Sequence, residues 1–213
     1  MDEQQAREWL GGNFDVPRGT IARLEQLLEL LRAENRRQNL VSASTLDHAW
    51  TRHIVDSAQL IRFGRRDGPW LDLGSGAGFP GLIVAILLDV EVTLVEERKL
   101  RAEFLRRAAD VLGVSGRVEI LASRVERLPP RHFSTISARA FAPLDRLLRL
   151  GLPFAAEDTI WVLPKGRNAK SELEAARSSW QGSFRLEPSV TDADASIIVA
   201  AQVRPRAKGS RAE

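Results

Sequence analysis

The chain has 213 residues, enough for one α/β domain with its own core and a modest extension. It contains no cysteine and no tyrosine, which excludes disulfides, thiolate metal sites, a cysteine nucleophile and the Tyr/Lys chemistry of many small nicotinamide reductases. The formal charge is +3 with lysine confined to Lys99, Lys165, Lys170 and Lys208, so the cationic surface belongs to arginine, whose planar fork suits phosphates and bases but equally a solvated surface.

The first eight residues, Met1 to Glu8, are charged from the start and cannot form the apolar centre of a secretion signal. Pro17 stands where a helix can begin, and Ile21, Leu24, Leu27, Leu28 and Leu31 follow at three-and-four spacing, burying one stripe. That helix leaves through Arg32–Asn39, which puts Arg36 and Arg37 at the surface. A second helix is expected from Thr45 to Phe63 with Leu46, Trp50, Ile54 and Ala58 inward. From Pro69 the pattern changes to short apolar strands alternating with helical stretches: strands at 70–73, 92–95, 118–121, 133–137 and 159–163, helices at 82–88 and 100–112. This is the pattern of βαβ units on a parallel sheet. A helix around 169–180 and strands near 184–187 and 196–203 complete seven strands. The longest apolar run, Leu82 to Leu88, closes at Asp89 and is too short to span a bilayer, so a cytoplasmic protein without membrane contact is expected. The division that follows is a helical extension over 1–66, a core over 67–203 and a basic, disordered tail over 204–213.

The strongest local signal is Asp72–Gly81, directly after the first strand and before an apolar helix. Glycines at alternate positions open backbone dihedrals closed to other residues and let a nucleotide-like ligand approach the main chain. Gly76–Gly81 also satisfies GxGxxG, the dinucleotide fingerprint. In that fingerprint the first glycine makes the turn leaving the strand, whereas here Gly74 does so, two residues earlier. Asp72 suits the cationic methionine end of S-adenosylmethionine and would repel a pyrophosphate; its other reading is a structural acceptor for loop amides. Glu96 ends the second strand at the spacing of a carboxylate that accepts from ribose hydroxyls, with Glu97 beside it as a second choice. The loop after the third strand, with Val125 and Glu126, is placed to hold adenine by an apolar contact and a polar edge. After the fourth strand, Ser137–Leu144 occupies the substrate-facing loop. It lacks the Asn/Asp-Pro-Pro-aromatic turn of enzymes that methylate exocyclic amines, and Arg139 within it reads as a ligand or RNA contact.

These segments resemble the bacterial 16S ribosomal RNA guanine-N7 methyltransferases, the glucose-inhibited division protein B family, over nearly the whole chain. Asn39–Ser42 is similar to the family's NLT-type segment and Arg52–Ser57 to its RHxxDS segment. Asp72–Gly81 is similar to its D(V/L)G(S/T)GxGxPG loop, Ser137–Leu144 to its SRAxAPL segment with Ala138 interrupting the triplet, and Leu163–Gly166 to its (L/M)KG segment with Pro164 before Lys165. The resemblance implies a class I, Rossmann-like S-adenosylmethionine methyltransferase: a seven-stranded, mostly parallel sheet with an N-terminal helical extension. It implies cofactor contacts at Gly74, Phe79, Glu96, Val125, Glu126 and Arg139, joined by Asp72 and Gly76 of the loop. The acceptor it implies is 16S ribosomal RNA of the small subunit, acted on by a monomer without a metal.

The chemistry agrees with that resemblance. Guanine N7 carries a free lone pair at neutral pH, so its methylation needs no base, and alignment with exclusion of water can carry the rate, with Arg139 the one candidate catalytic side chain. His53 is then expected to order its helix through Asp56 or to touch RNA, and the three histidines, His48, His53 and His132, have no HExxH spacing. RNA contacts are expected at Arg36, Arg37, Arg52 and Lys165, with Arg32, Arg62, Arg65 and Arg66 as further members of the basic groups. Arg98, Lys99, Arg101, Arg106 and Arg107 read as the solvated face of a helix. The competing readings are a class I methyltransferase for another RNA, a protein or a small molecule, and a nicotinamide oxidoreductase using Gly76–Gly81.

Overall fold

The computed structural model describes residues 1–207. Seven strands, β1 (Trp70–Leu73), β2 (Val92–Val95), β3 (Val118–Leu121), β4 (Phe133–Ser137), β5 (Ala155–Lys165), β6 (Trp180–Pro188) and β7 (Ser196–Pro205), form one sheet. Their order is β3-β2-β1-β4-β5-β7-β6. β1 to β5 pair in parallel, and β7 runs antiparallel between β5 and β6. The strand order reverses between β1 and β4, so the crevice for a ligand opens at the carboxyl ends of β1, β2 and β4.

The helices are α1 (Glu3–Asn13), α2 (Arg18–Gln38), α3 (Ala43–Leu46), α4 (Asp56–Ala58), α5 (Gly81–Leu87), α6 (Lys99–Val111), α7 (Leu144–Gly151) and α8 (Ala169–Ala176). Neither α1 nor α7 was read from the pattern. The signal for α1 was present: Asp2 and Gln5 form a reciprocal capping box, Asp2 Oδ1 accepting from the Gln5 amide at 2.8 Å and Gln5 Oε1 from the Asp2 amide at 2.9 Å. The helix expected from Thr45 to Phe63 is broken once, by a turn at Asp47 and His48 after α3, and then runs on without interruption as a π-helical stretch at Trp50–Val55, α4 and a 3-10 turn at Gln59–Arg62. The break has a function in packing, because the Glu3 carboxylate caps the amides of Trp50 and Thr51, both at 3.1 Å, and ties α1 to the π-helical stretch. α8 stops at Ala176 and β6 begins at Trp180, so the expected helix end lies in a turn and the strand is longer. Arg204 and Pro205 belong to β7, and Arg206 donates to the carbonyls of Arg177 and Trp180, so the chain stays ordered where a tail was expected; residues 208–213 lie outside the described residues.

Alternation along β1 assigns the two faces. Trp70 packs with Val92 and Leu94 against α5, α6 and the N-terminal helices, in one apolar cluster that runs from Ala6 and Leu10 to Val118. Leu71 and Leu73 face the other way, against α7, α8, Trp161 and Trp180. The extension therefore shares its core with the sheet. Glu34 of α2 fastens it, accepting from Gln38 at 2.7 Å and from Arg107 of α6 at 2.6 Å while only 9% exposed.

Candidate active site

Two cavities meet at the carboxyl end of the sheet. The smaller, about 280 Å³, is lined by Gly74, Val95–Arg98 and Arg101, by Ser123–Glu126, and by Ala140–Ala142, Arg146 and Leu150. The larger, about 660 Å³, lies between the N-terminal segment, with Arg52, His53 and Asp56, and Arg139–Pro143, Lys165, Glu172 and Asp192. Ala140, Phe141 and Ala142 line both. The β4–α7 loop is thus the partition between them.

The loop after β1 is shaped by the backbone. Gly74 has φ +70°, and a Cβ there would collide with the Phe141 ring. The amides of Gly74 and Ser75 both donate to the Val95 carbonyl, at 2.9 and 3.0 Å, stitching the loop to the end of β2. Glu96 completes that stitch: one carboxylate oxygen accepts from the Gly76 amide at 3.0 Å and the other from the Arg98 amide at 2.8 Å. Glu96 lines the smaller cavity although it is only 5% exposed.

Asp72 does not line the cavity. It is fully buried, Oδ1 accepting from Ser137 at 2.9 Å and Oδ2 from the Gly81 amide at 3.2 Å, so the structural alternative describes it. Burial pushes its carboxyl up to about 6, against the pull of those hydrogen bonds. It fixes the loop from below, and Gly76 likewise contributes through its bond to Glu96 rather than by lining the cavity. Phe79, 2% exposed, turns its ring toward the larger cavity's side, stacked on His53 with centroids 4.9 Å apart and planes 12° apart. Of the expected cofactor contacts, Gly74, Glu96, Val125 and Glu126 are brought together; Arg139 is on the other side of the partition.

Arg139 is held in the larger cavity by four groups. Its guanidinium donates to the Arg52 carbonyl at 3.0 Å and to Asp56 Oδ2 at 3.3 Å, lies 3.4 Å from His53 Nδ1, and sits 5.2 Å from the Phe79 ring centre. His53 thus meets Arg139, not Asp56, whose oxygens take Gln59, Thr191 and Arg139. Burial, then the charges of Arg139 and Arg52, lower the His53 pKa to about 3, so the ring is neutral. Its Nε2 has no partner among the described residues.

Lys165 is no free cation. Its side chain is 11% exposed, and Nζ donates to the Ala142 carbonyl at 2.8 Å and to Glu172 Oε2 at 2.9 Å. The same Glu172 oxygen caps the Leu144 amide at 2.9 Å, so this pair anchors the partition loop. Arg52 does face the larger cavity, half-exposed and bonded to Asp192 at 3.1 Å. Arg36 and Arg37 are exposed and line neither cavity. Arg65 pairs with Asp67 and Asp158 near the amino-terminal ends of β1 and β5, at the far end of the sheet, which removes the group at Arg62–Arg66 from the mouth of the site. Conversely, Arg98 and Arg101, read as solvated, line the smaller cavity, because α6 starts immediately after β2 and its first turn overhangs the crevice. Asp192 was not singled out at all; no spacing in the sequence joins the β6–β7 turn to Arg52.

Among the described residues no helix is long and apolar enough to cross a membrane, and no group of three or more His, Cys, Asp or Glu could hold a metal ion.

Comparison with known proteins places these features. The family model described as rRNA small subunit methyltransferase G (GidB) matches residues 20–196. A ribosomal RNA small subunit methyltransferase G of Rhizorhabdus wittichii is 55% identical, covering 99% of this chain and 98% of that one. Its namesake from Zymomonas mobilis is 47% identical, covering 97% and 96%. Among solved structures, a mutant of MtNAS in complex with S-adenosylmethionine superposes with a TM-score of 0.56 at 16% identity, covering 86% of this chain and 72% of that one; the likeness is one of fold.

Proposed function

This chain belongs to the rRNA small subunit methyltransferase G family, and from that premise we propose that it transfers the methyl group of S-adenosylmethionine to N7 of a guanine in 16S ribosomal RNA. The observation that carries the reading is the pair of cavities divided by one thin loop. A donor and an acceptor can occupy neighbouring chambers and meet across Ala140–Ala142.

The smaller chamber has the donor set for the cofactor. Glu96 offers a carboxylate at the end of β2 to the ribose hydroxyls, Val125 and Leu150 offer apolar walls to the adenine, and Gly74 allows close approach to the main chain. Glu97 and Glu126 add polar groups, each already facing an arginine: Glu97 with Arg124 at 3.3 Å, Glu126 with Arg146 at 4.0 Å. When bound there, S-adenosylmethionine supplies an electrophilic methyl group on a sulfonium.

The larger chamber receives the base. Its polar lining is mostly fixed beforehand: Arg139 by Asp56, Arg52 and His53, Lys165 by Glu172 and Ala142. N7 of guanine holds its lone pair without losing a proton, so no side chain has to act as base. His53, neutral and buried, serves to place Arg139. The rate enhancement then rests on alignment and on water kept out by Phe141, Pro143 and Pro164.

The test is to incubate the protein with methyl-labelled S-adenosylmethionine and small-subunit RNA lacking the mark, free and assembled, and to map the product. Label in a single guanine as N7-methylguanine is expected. Absence of label from RNA in both forms refutes the proposal.

A further inference from the structure

Three carboxylates line the larger chamber, and they are not equivalent. Asp56 is consumed by Gln59, Thr191 and Arg139, and Glu172 by Leu144 and Lys165, each pair of elements held together through it. Asp192 is the most exposed, its side chain 38% open against 22% for Asp56 and 30% for Glu172. One of its oxygens accepts from the Asp194 amide at 3.0 Å and the other from Arg52 at 3.1 Å. Arg52, 46% exposed, spends one terminal nitrogen on that bond, and its side chain has no other hydrogen bond among the described residues. An acceptor and a fork of donors therefore stand side by side on the wall of the chamber.

The turn that carries Asp192 does not depend on this ion pair. The Val190 amide donates to Gln59 Oε1 at 2.9 Å, Gln59 donates to Ser189 at 3.1 Å, and Thr191 donates to Asp56 at 2.8 Å. Those three bonds already fasten the β6–β7 turn to the N-terminal segment. An exposed arginine–carboxylate bond adds little to stability beside them.

Resting on the reading of the chamber as a guanine site, we infer that Arg52 and Asp192 together read the six-membered ring of the base. Guanine presents O6 as an acceptor, then N1–H and the N2 amine as donors, in that order along one edge. Arg52 complements the first and Asp192 the other two. Adenine presents the reverse, an amine donor and then a bare nitrogen acceptor, and sets donor against donor and acceptor against acceptor. A site built from polar groups discriminates strongly because the wrong base leaves them unpaired. Engagement of this edge leaves N7, on the five-membered ring, uncovered for the methyl group.

The experiment uses small-subunit RNA carrying either guanine or inosine at the modified position, with the wild-type chain and Asp192→Asn. Inosine keeps N7, O6 and N1–H and lacks the N2 amine. The wild type is expected to show kcat/KM lower for inosine by roughly ten- to a hundredfold, the worth of a hydrogen bond to a charged acceptor. In Asp192→Asn, guanine falls by a similar factor and the two bases become equal. Melting temperature and S-adenosylhomocysteine affinity of the variant verify that it folds. Wild type that methylates inosine as well as guanine, a comparison needing no variant, overturns the inference; so does Asp192→Asn that still separates the two bases as the wild type does, the outcome of a purely structural ion pair. Wild type inactive on the guanine RNA overturns the reading of the chamber, and the inference with it.

Discussion

The two chambers share a wall but were assembled differently. The smaller takes its lining from four successive βα connections of one sheet, after β1, β2, β3 and β4, so neighbours in space are neighbours in a regular spacing of the chain. The larger draws on residues as distant as Val41, Asp56, Arg139, Lys165 and Asp192, brought together by the packing of the extension and by the β6–β7 turn. The smaller chamber presents polar groups set by backbone geometry, and the larger presents cations each already matched with a carboxylate or carbonyl. Perturbation should follow that division: the first yields to changes of backbone and single acceptors, the second to loss of partners.

The largest effect expected is at Gly74. With φ +70° and no room for a Cβ against Phe141, Gly74→Val must displace the partition loop or the glycine turn. S-adenosylhomocysteine binding, measured calorimetrically, should fall below detection. Retained binding means that the loop moves freely and that the partition does not depend on this contact.

The next effect separates the chambers by pH. In the larger, His53 has its pKa lowered from 6.5 to about 3, so the native state prefers the neutral ring. That preference contributes stability fully present above 6.5 and lost as pH falls from 6.5 toward 3, up to about 5 kcal/mol. Beneath the smaller, Asp72 is raised from 3.8 to about 6, so its protonated form is preferred; the contribution is present below 3.8 and lost as pH rises through 6, about 3 kcal/mol. Asp72→Asn, able to keep bonds to Ser137 and Gly81, should therefore raise the melting temperature at pH 8 and not at pH 4. His53→Leu should flatten the loss of stability between pH 6.5 and 4. Across pH 6.5 to 8 kcat/KM should show no inflection from His53; an inflection abolished in His53→Gln would instead make His53 a general base.

Glu96 comes third. Glu96→Ala removes the acceptor at the end of β2 and releases the amides of Gly76 and Arg98. Cofactor affinity should fall about ten- to a hundredfold, with 1.5–3 kcal/mol per bond to a charged acceptor as the scale. Unchanged affinity would take Glu96 out of the site.

The same division explains how much could be read beforehand. The strand positions, the glycine turn, Glu96, Val125 and Glu126 follow from local spacing, which a βαβ fold converts directly into position. Asp72 was ambiguous because a carboxylate before such a turn can point up to a ligand or down to loop amides, and only burial decides. The contact of Lys165 with Ala142 and the pairing of Arg139 with Asp56 and His53 join residues 23, 83 and 86 positions apart, and long-range pairing leaves no periodic trace. The break at Asp47 and His48 was hidden for a related reason: the apolar spacing is helical throughout, while the new start at Trp50 and Thr51 is capped by Glu3 from another helix.

The smallest effect expected lies outside both chambers. Arg36 and Arg37 end α2 and are exposed, with Arg37 reaching Glu34 only at 3.6 Å and its side chain 74% open. Glu34 is already satisfied by Arg107 and Gln38, so removing Arg37 leaves no buried charge behind. Stability and cofactor affinity should be unchanged in Arg36→Gln with Arg37→Gln. If this helix end meets RNA, each arginine neutralises a phosphate and releases counterions, so the slope of log affinity against log salt should shallow by about one per arginine, with affinity lower at low salt. An unchanged slope assigns both side chains to solvent and leaves Arg52, inside the chamber, as the arginine of the extension that the substrate meets.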